Sequence, residues 1–266
     1  MARRSLVERR VLITGASSGI GRELSLALSR RGARVLLSAR REKWLDAVAS
    51  ECNRAGGSAE RLAGDVTDAA YQDALVQHAV ASWGGLDVLV NNAGVSAHGR
   101  FADGDDATLR RIMEVNFLAA AELTRRAIPV LSSGTRPAIV NIGSILGHRG
   151  IPLNSEYCAS KFALRGWSES LRAELAPLGI DVLLVSPGTT ETEFFDHLLA
   201  KRGALPWGKA KGIPAATVAR QTVRALERGR REIFPNWRGR ALVLANRLFP
   251  RMVDRVMVRL TSRRQD

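Results

Sequence analysis

The stretch Thr14-Gly15-Ala16-Ser17-Ser18-Gly19-Ile20-Gly21 follows the apolar run 11–14 directly and leads into helical periodicity over 22–30. Glycines at such a turn let the backbone approach a pyrophosphate, and the helix that follows offers unpaired N–H donors with a partial positive charge. Taken alone, a glycine-rich turn also suits any connection between a strand and a helix. Its place after the first strand of a β-α-β unit favours a bound nucleotide.

Working outward, further apolar runs occupy 34–38, 59–63, 87–91, 138–142, 181–186 and 231–234. Helical periodicity fills the gaps over 43–54, 70–83, 106–131, 157–178 and 215–227. This alternation predicts an α/β, doubly wound, seven-stranded parallel sheet with helices on both faces, a single domain over 1–240. The longest connection, 189–213, holds Gly203, Gly208 and Gly212 and is the expected active-site lid. Residues 241–266 are expected to form a basic amphipathic C-terminal helix. Phe249, Met252, Val253, Val256, Met257 and Leu260 share one stripe of it, Arg247, Arg251, Arg255 and Arg259 recur every four residues on another, and Pro250 starts or kinks the last segment.

The chain has 266 residues, 45% hydrophobic and 25% charged, enough to bury a core without disulfides or metals and too apolar for a disordered polymer. Two cysteines, Cys52 and Cys158, and a start of MARRSLVERR with no apolar stretch behind it predict a cytoplasmic protein without a membrane span. Four scattered histidines, His78, His98, His148 and His197, lack ligand spacing, so no metal is expected. The net charge of +14 is concentrated at the end: from Arg220 onward 13 arginines face four acids, leaving +9 there and +5 before it. Nucleic acid is not the favoured partner, because no base-reading motif or aromatic stacking pattern accompanies that charge.

The glycine spacing, three residues and then one, departs from GxGxxG and resembles the TGxxxGxG turn of the short-chain dehydrogenase/reductase family. Further matches follow in order: Asp65-Val66, Asn91-Asn92-Ala93-Gly94, Asn116, Ser144, Tyr157-Cys158-Ala159-Ser160-Lys161, then Pro187-Gly188 with Thr192. The resemblance covers about residues 8–235 and implies the Rossmann fold. It also implies a nicotinamide dinucleotide held by Gly15, Ser17, Ser18, Gly19, Ile20, Gly21, Asp65, Val66, Asn92, Ala93, Gly94, Tyr157, Lys161, Pro187, Gly188 and Thr192. A homodimer or homotetramer built on the long helices 106–131 and 157–178 is implied as well.

The second strand ends Ser38-Ala39-Arg40-Arg41. A carboxylate there would receive the ribose 2′-hydroxyl of NAD, whereas a 2′-phosphate needs an arginine. Ala39 stands where the acid would be, so NADP (NADPH), read by Arg40, is expected ahead of NAD. In a chain with 35 arginines, Arg40 and Arg41 also suit ordinary solvated charges.

Tyr157 and Lys161 are four apart and share a helix face. A phenol has a reference pKa of about 10, and lowering it three units takes roughly 4 kcal/mol of phenolate stabilisation. A neighbouring ammonium and an oxidised nicotinamide supply it, so Tyr157 is the expected acid for carbonyl reduction or base for alcohol oxidation. Ser144 is expected to orient the carbonyl, and the resemblance gives Asn116 a water that links Lys161 to solvent. Phe194, Phe195, Leu198, Leu199, Leu205 and Trp207 in the lid predict a hydrophobic or amphipathic small-molecule carbonyl or alcohol substrate. Lys201, Arg202, Lys209 and Arg149 leave open an anionic one, such as an acyl carrier's phosphates. His148 and Arg149 sit in a stretch that resembles the family's substrate-facing loop, where a contact and a rim position are both open. Two other functions stay in view: a dinucleotide-sensing scaffold without catalysis, and a peripheral membrane binder acting through the basic tail.

Overall fold

The computed structural model describes residues 3–202 and 212–262. Seven strands, β1 (Arg10–Thr14), β2 (Arg34–Ala39), β3 (Ser58–Ala63), β4 (Val88–Asn91), β5 (Ala138–Ile142), β6 (Asp181–Val185) and β7 (Glu232–Ile233), form one parallel sheet in the order β7-β6-β5-β4-β1-β2-β3. The expected architecture is therefore present. Alternate residues along each strand face opposite sides, and both sides are buried in β1, β2, β4, β5 and β6, while the edge strands β3 and β7 are only partly buried. Val11, Ile13, Val35 and Leu37 meet Leu24 and Leu28 of α1 (Gly19–Ser29), Leu45 and Val48 of α2 (Glu42–Arg54) and Val218 and Val223 of α7 (Ala215–Glu227). Leu12, Leu36, Leu89 and Ile139 meet Leu75 of α3 (Ala69–Trp83), Leu123 of α5 (Ala119–Ser132) and Leu171 of α6 (Ser155–Leu175). Each such side chain contributes about 1.5–3 kcal/mol.

The chain runs from β1 outward to β2 and β3, then returns to place β4 on the other side of β1. A crevice opens where the order reverses, at the carboxyl ends of β1 and β4. The glycine-rich turn and Asn92 sit there.

Two helical segments differ from expectation. The stretch 106–131 is not one helix: α4 (Asp106–Met113) and α5 are joined by a π-helical turn, Glu114–Leu118. One extra residue per turn shifts the faces of the two helices, and Asn116 lies inside that turn. The tail is two helices, α8 (Trp237–Leu248) and α9 (Pro250–Ser262): it starts ahead of the expected 241, and Pro250 opens the last segment as the sequence suggested. Proline has no N–H to continue the ladder, so Phe249 leaves helical geometry and Pro250 opens the next helix. Gly203, Leu205, Trp207, Gly208 and Lys209 of the expected lid lie outside the described residues.

Candidate active site

The glycine-rich turn is built by close approach. Gly15 and Gly19 have φ of +64° and +54°, which side chains rarely adopt. A Cβ on Gly21 would stand 2.2 Å from the Gly15 carbonyl oxygen, and one on Gly15 2.9 Å from Ala93 Cα. One on Gly19 would meet Thr192 at 3.1 Å. The turn is bolted to the end of β4: Asn92 Nδ2 donates to the carbonyls of Thr14 (2.9 Å) and Gly15 (3.0 Å), while Thr14 Oγ1 accepts from the amides of Asn92 and Ala93. The Asn92 amide is thus occupied in shaping the turn. Gly15, Gly19, Gly21, Asn92, Ala93 and Thr192 converge here, and Ile20 packs against the core below. A groove of about 530 Å³ passes Ser17, Ser18, Gly19, Trp44 and Thr192. A backbone cradle with no Cβ, at the start of a helix, fits a dinucleotide pyrophosphate.

At the end of β2, Arg40 is exposed and makes no hydrogen bond or ion pair among the described residues. Its neighbour Arg41 is the organised one. Arg41 Nη2 donates to Ser17 Oγ (3.1 Å) and Ser18 Oγ (2.8 Å), and the guanidinium lies 4.2 Å from the Trp44 ring centroid. Sequence reasoning did not assign Arg41 or Trp44 to the site; the signal was the spacing Arg41-x-x-Trp44, one helical turn. Asp65 sits farther out, beyond β3, accepting from Thr67 and pairing with Arg111 of α4 at 2.5 Å. Burial raises its carboxyl, but Thr67 and Arg111 hold it below the usual range. Val66 gives its carbonyl to Gln72.

The second cluster lies at the carboxyl end of β5 and the start of α6. Lys161 is buried, and its Nζ donates to the Ile142 carbonyl (2.9 Å) and stands 5.6 Å from the Tyr157 ring centroid. No carboxylate pairs with it among the described residues, and burial lowers its pKa to about 8. Burial pushes the Tyr157 phenol well above its ordinary value, the reverse of the lowering expected from the sequence, and the Ser144 hydroxyl offsets only part of that rise. Ser144 Oγ accepts from the Leu146 amide at 3.1 Å, which fixes its oxygen and leaves its proton to donate. The side-chain amide of Asn116 is fully engaged. It accepts from Val95 N (2.8 Å) and donates to Val95 O (2.9 Å) and Ser160 Oγ (2.9 Å), and Ser160 in turn donates to the Tyr157 carbonyl. Asn116 therefore ties the segment after β4 to the helix carrying Tyr157. A Cβ on Gly94 would meet Asn116 Oδ1 at 3.3 Å and Lys161 Nζ at 3.9 Å, a tight fit against the Asn116 amide.

Beside Tyr157 the lid supplies Phe194, whose ring meets the phenol edge-on at 5.9 Å, then Phe195 and His98. The lid is pinned twice, by parallel bridges from Thr190–Glu191 to Ile213–Pro214 and from His98–Gly99 to Lys201–Arg202. Pro187 accepts from the Ile145 amide, and Gly188 lies against Asn236. His148 is turned away from a substrate: it is buried, with Nε2 2.9 Å from Glu232 Oε1 and 3.1 Å from Ser186 Oγ. Arg149 pairs with Asp254 (2.6 Å), and Arg202 with Asp105 (2.6 Å). Both are spent on the fold, which weakens the case for an anionic substrate.

A family model described as short chain dehydrogenase matches residues 9–203. The chain is 33% identical over 259 residues to the ketoacyl reductase HetN of Nostoc sp., covering 95% of this chain and 89% of that protein. It is 34% identical over 263 residues to the hydroxysteroid 11-beta-dehydrogenase 1-like protein B of Xenopus laevis, covering 97% and 88%. The solved alcohol dehydrogenase of the archaeon Thermococcus sibiricus, complexed with 5-hydroxy-NADP, superimposes with a TM-score of 0.75 at 25% identity, covering 85% of this chain and 95% of that one. Family match, sheet order and glycine cradle agree: the chain belongs to the short-chain dehydrogenase/reductase family and is an oxidoreductase.

Proposed function

We propose that the protein uses NADP(H) to interconvert a ketone and a secondary alcohol on an apolar or amphipathic small molecule, working as a reductase. The observation that carries this is an ammonium buried beneath a phenol, with no carboxylate among the described residues to neutralise it. Gly15, Ser17, Ser18, Gly19, Gly21 and Asn92 would hold the dinucleotide, and Arg40 and Arg41 would receive a 2′-phosphate. When bound, that group supplies the hydride equivalent.

The chain's own residues manage the proton. Tyr157 gives it to the carbonyl oxygen, Lys161 favours the phenolate left behind, and Ser144 directs its hydroxyl at the same oxygen. Asn116 acts as a positioning residue and supports proton resupply through Lys161. Phe194 and Phe195 offer an apolar wall to the rest of the substrate. The names of the relatives, a ketoacyl reductase and a hydroxysteroid dehydrogenase-like protein, support carbonyl chemistry without choosing a substrate. Exposed Leu118 and Phe162, beside α5 and on α6, support a homo-oligomer through those helices.

The test is Tyr157→Phe, followed by NADPH absorbance over a panel of ketones. The variant is expected to bind NADPH and to lose turnover by about a hundredfold or more. Undiminished turnover refutes the assignment.

A further inference from the structure

Helix α8 is turned inside out. Its inward side is narrow: Gly239 and Val243 are buried, and a Cβ on Gly239 would stand 2.7 Å from Ile145 Cγ2. Its outward side is apolar. Trp237, Ala241, Leu244 and Leu248 recur at i, i+4, i+7 and i+11, so they form one ridge facing away from the domain. Phe249, Met252 and Val256 carry the ridge onto α9. Trp237, Leu244, Leu248, Phe249, Met252 and Val256 are each between 46% and 74% exposed. A soluble helix ordinarily presents the reverse arrangement, and a contiguous exposed apolar ridge calls for an occupant.

The border of the ridge identifies that occupant. Arg240 and Arg247, seven apart, run along one side of it on α8, Arg238 stands on the other, and Arg251 and Arg255 flank Met252 and Val256. Arg240, Arg247, Arg251 and Arg255 meet no carboxylate among the described residues. The single acid of α8 and α9, Asp254, is already paired with Arg149. A second copy docking through a two-fold axis would set this arginine border against itself. An anionic bilayer accepts both parts at once, the apolar ridge among acyl chains and the guanidinium groups among phosphates.

We infer that the outward face of α8 and the first turns of α9 form a docking surface for an anionic membrane. Since α8 rests on Ile145, the residue after Ser144, the bilayer comes to lie beside the loop that carries that hydroxyl. The inference does not depend on the reaction proposed above.

The experiment is co-sedimentation of the full chain with vesicles of phosphatidylcholine alone and with one third phosphatidylglycerol. Binding is expected on the anionic vesicles and much less on the neutral ones. Leu244→Ser with Leu248→Ser lowers the partition coefficient by about a hundredfold, and Arg247→Gln with Arg251→Gln lowers it by about tenfold on anionic vesicles only. Both pairs are exposed, and far-UV circular dichroism of each should match the parent. Failure of the parent to bind anionic vesicles overturns the inference, as does undiminished binding by the leucine pair. Conversion of a dimer into a monomer by the leucine pair, read by sedimentation velocity, assigns the ridge to a second copy and overturns it equally.

Discussion

Replacing Lys161 by methionine should make the protein more stable and less active at the same time. Its ammonium is buried with one carbonyl as its hydrogen-bond acceptor, and burial lowers its pKa from 10.5 to about 8. Holding the charge in the fold near pH 7 therefore costs about 3 kcal/mol relative to water. Methionine keeps the length of the side chain and removes that cost. Losing the bond to Ile142 offsets about 1 kcal/mol, leaving a net gain of about 2 kcal/mol. The gain depends on pH with a definite sign. Between about pH 8 and 10.5 the unfolded chain binds the lysine proton and the folded chain does not, so the parent becomes more stable as pH rises. By about pH 9.5 the cost falls to roughly 1 kcal/mol and the two proteins converge. Urea titrations of parent and variant near both pH values, beside ketone-dependent oxidation of NADPH, measure the whole prediction. Turnover should drop at least about a hundredfold. A variant less stable than the parent near pH 7, or a difference that does not shrink with pH, refutes the claim that this ammonium is held in the fold at a cost.

The two arginines after β2 can be separated by measuring NADPH and NADH affinity in Arg40→Ala and Arg41→Ala. Arg40→Ala should weaken NADPH binding about 10- to 100-fold and leave NADH nearly unchanged, whereas Arg41→Ala, which also frees Ser17 and Ser18 of the turn, should weaken both dinucleotides and NADPH about 10-fold more. Equal losses for both dinucleotides in Arg40→Ala defeat the 2′-phosphate reading. Gly21→Ala forces a methyl against the Gly15 carbonyl and Asn92, so thermal unfolding should report a loss of about 1–3 kcal/mol together with loss of dinucleotide binding. An unchanged melting temperature with normal binding contradicts the close approach.

The sheet was legible because its central strands are short apolar runs buried on both faces, with a helix-period segment between each and the next; β3 and β7 at the edges are only partly buried. The order in which the glycines, Asn92, Ser144, Tyr157 and Lys161 occur along the chain located most of the candidate site before any contact was known. Three features were not legible, for separate physical reasons. A π-helical turn adds one residue to a periodic pattern, and the apolar spacing around Asn116 reads the same with or without it. Arg41 differs from Arg40 only through its partners, Ser17, Ser18 and Trp44, which the backbone brings together from two separate turns. Hydrophobic periodicity marks an apolar stripe and says nothing of which way the stripe points, so the outward ridge of Trp237, Leu244 and Leu248 escaped notice while the stripe on α9 did not. For His148 and Arg149 the sequence left a substrate contact and a rim position both open; the structure packs His148 against Glu232 and Ser186 and pairs Arg149 with Asp254.

The parallel bridges Thr190↔Ile213 and Glu191↔Pro214 set the departure and return points of the segment beside Tyr157 side by side. Closing a loop between fixed feet costs only about 0.6 kcal/mol more for each doubling of its length. Nothing in the seven-stranded sheet registers what is spliced between those feet. Through insertion or deletion between those feet, a shared scaffold can thus acquire new selectivity while its proton-handling groups stay where they are.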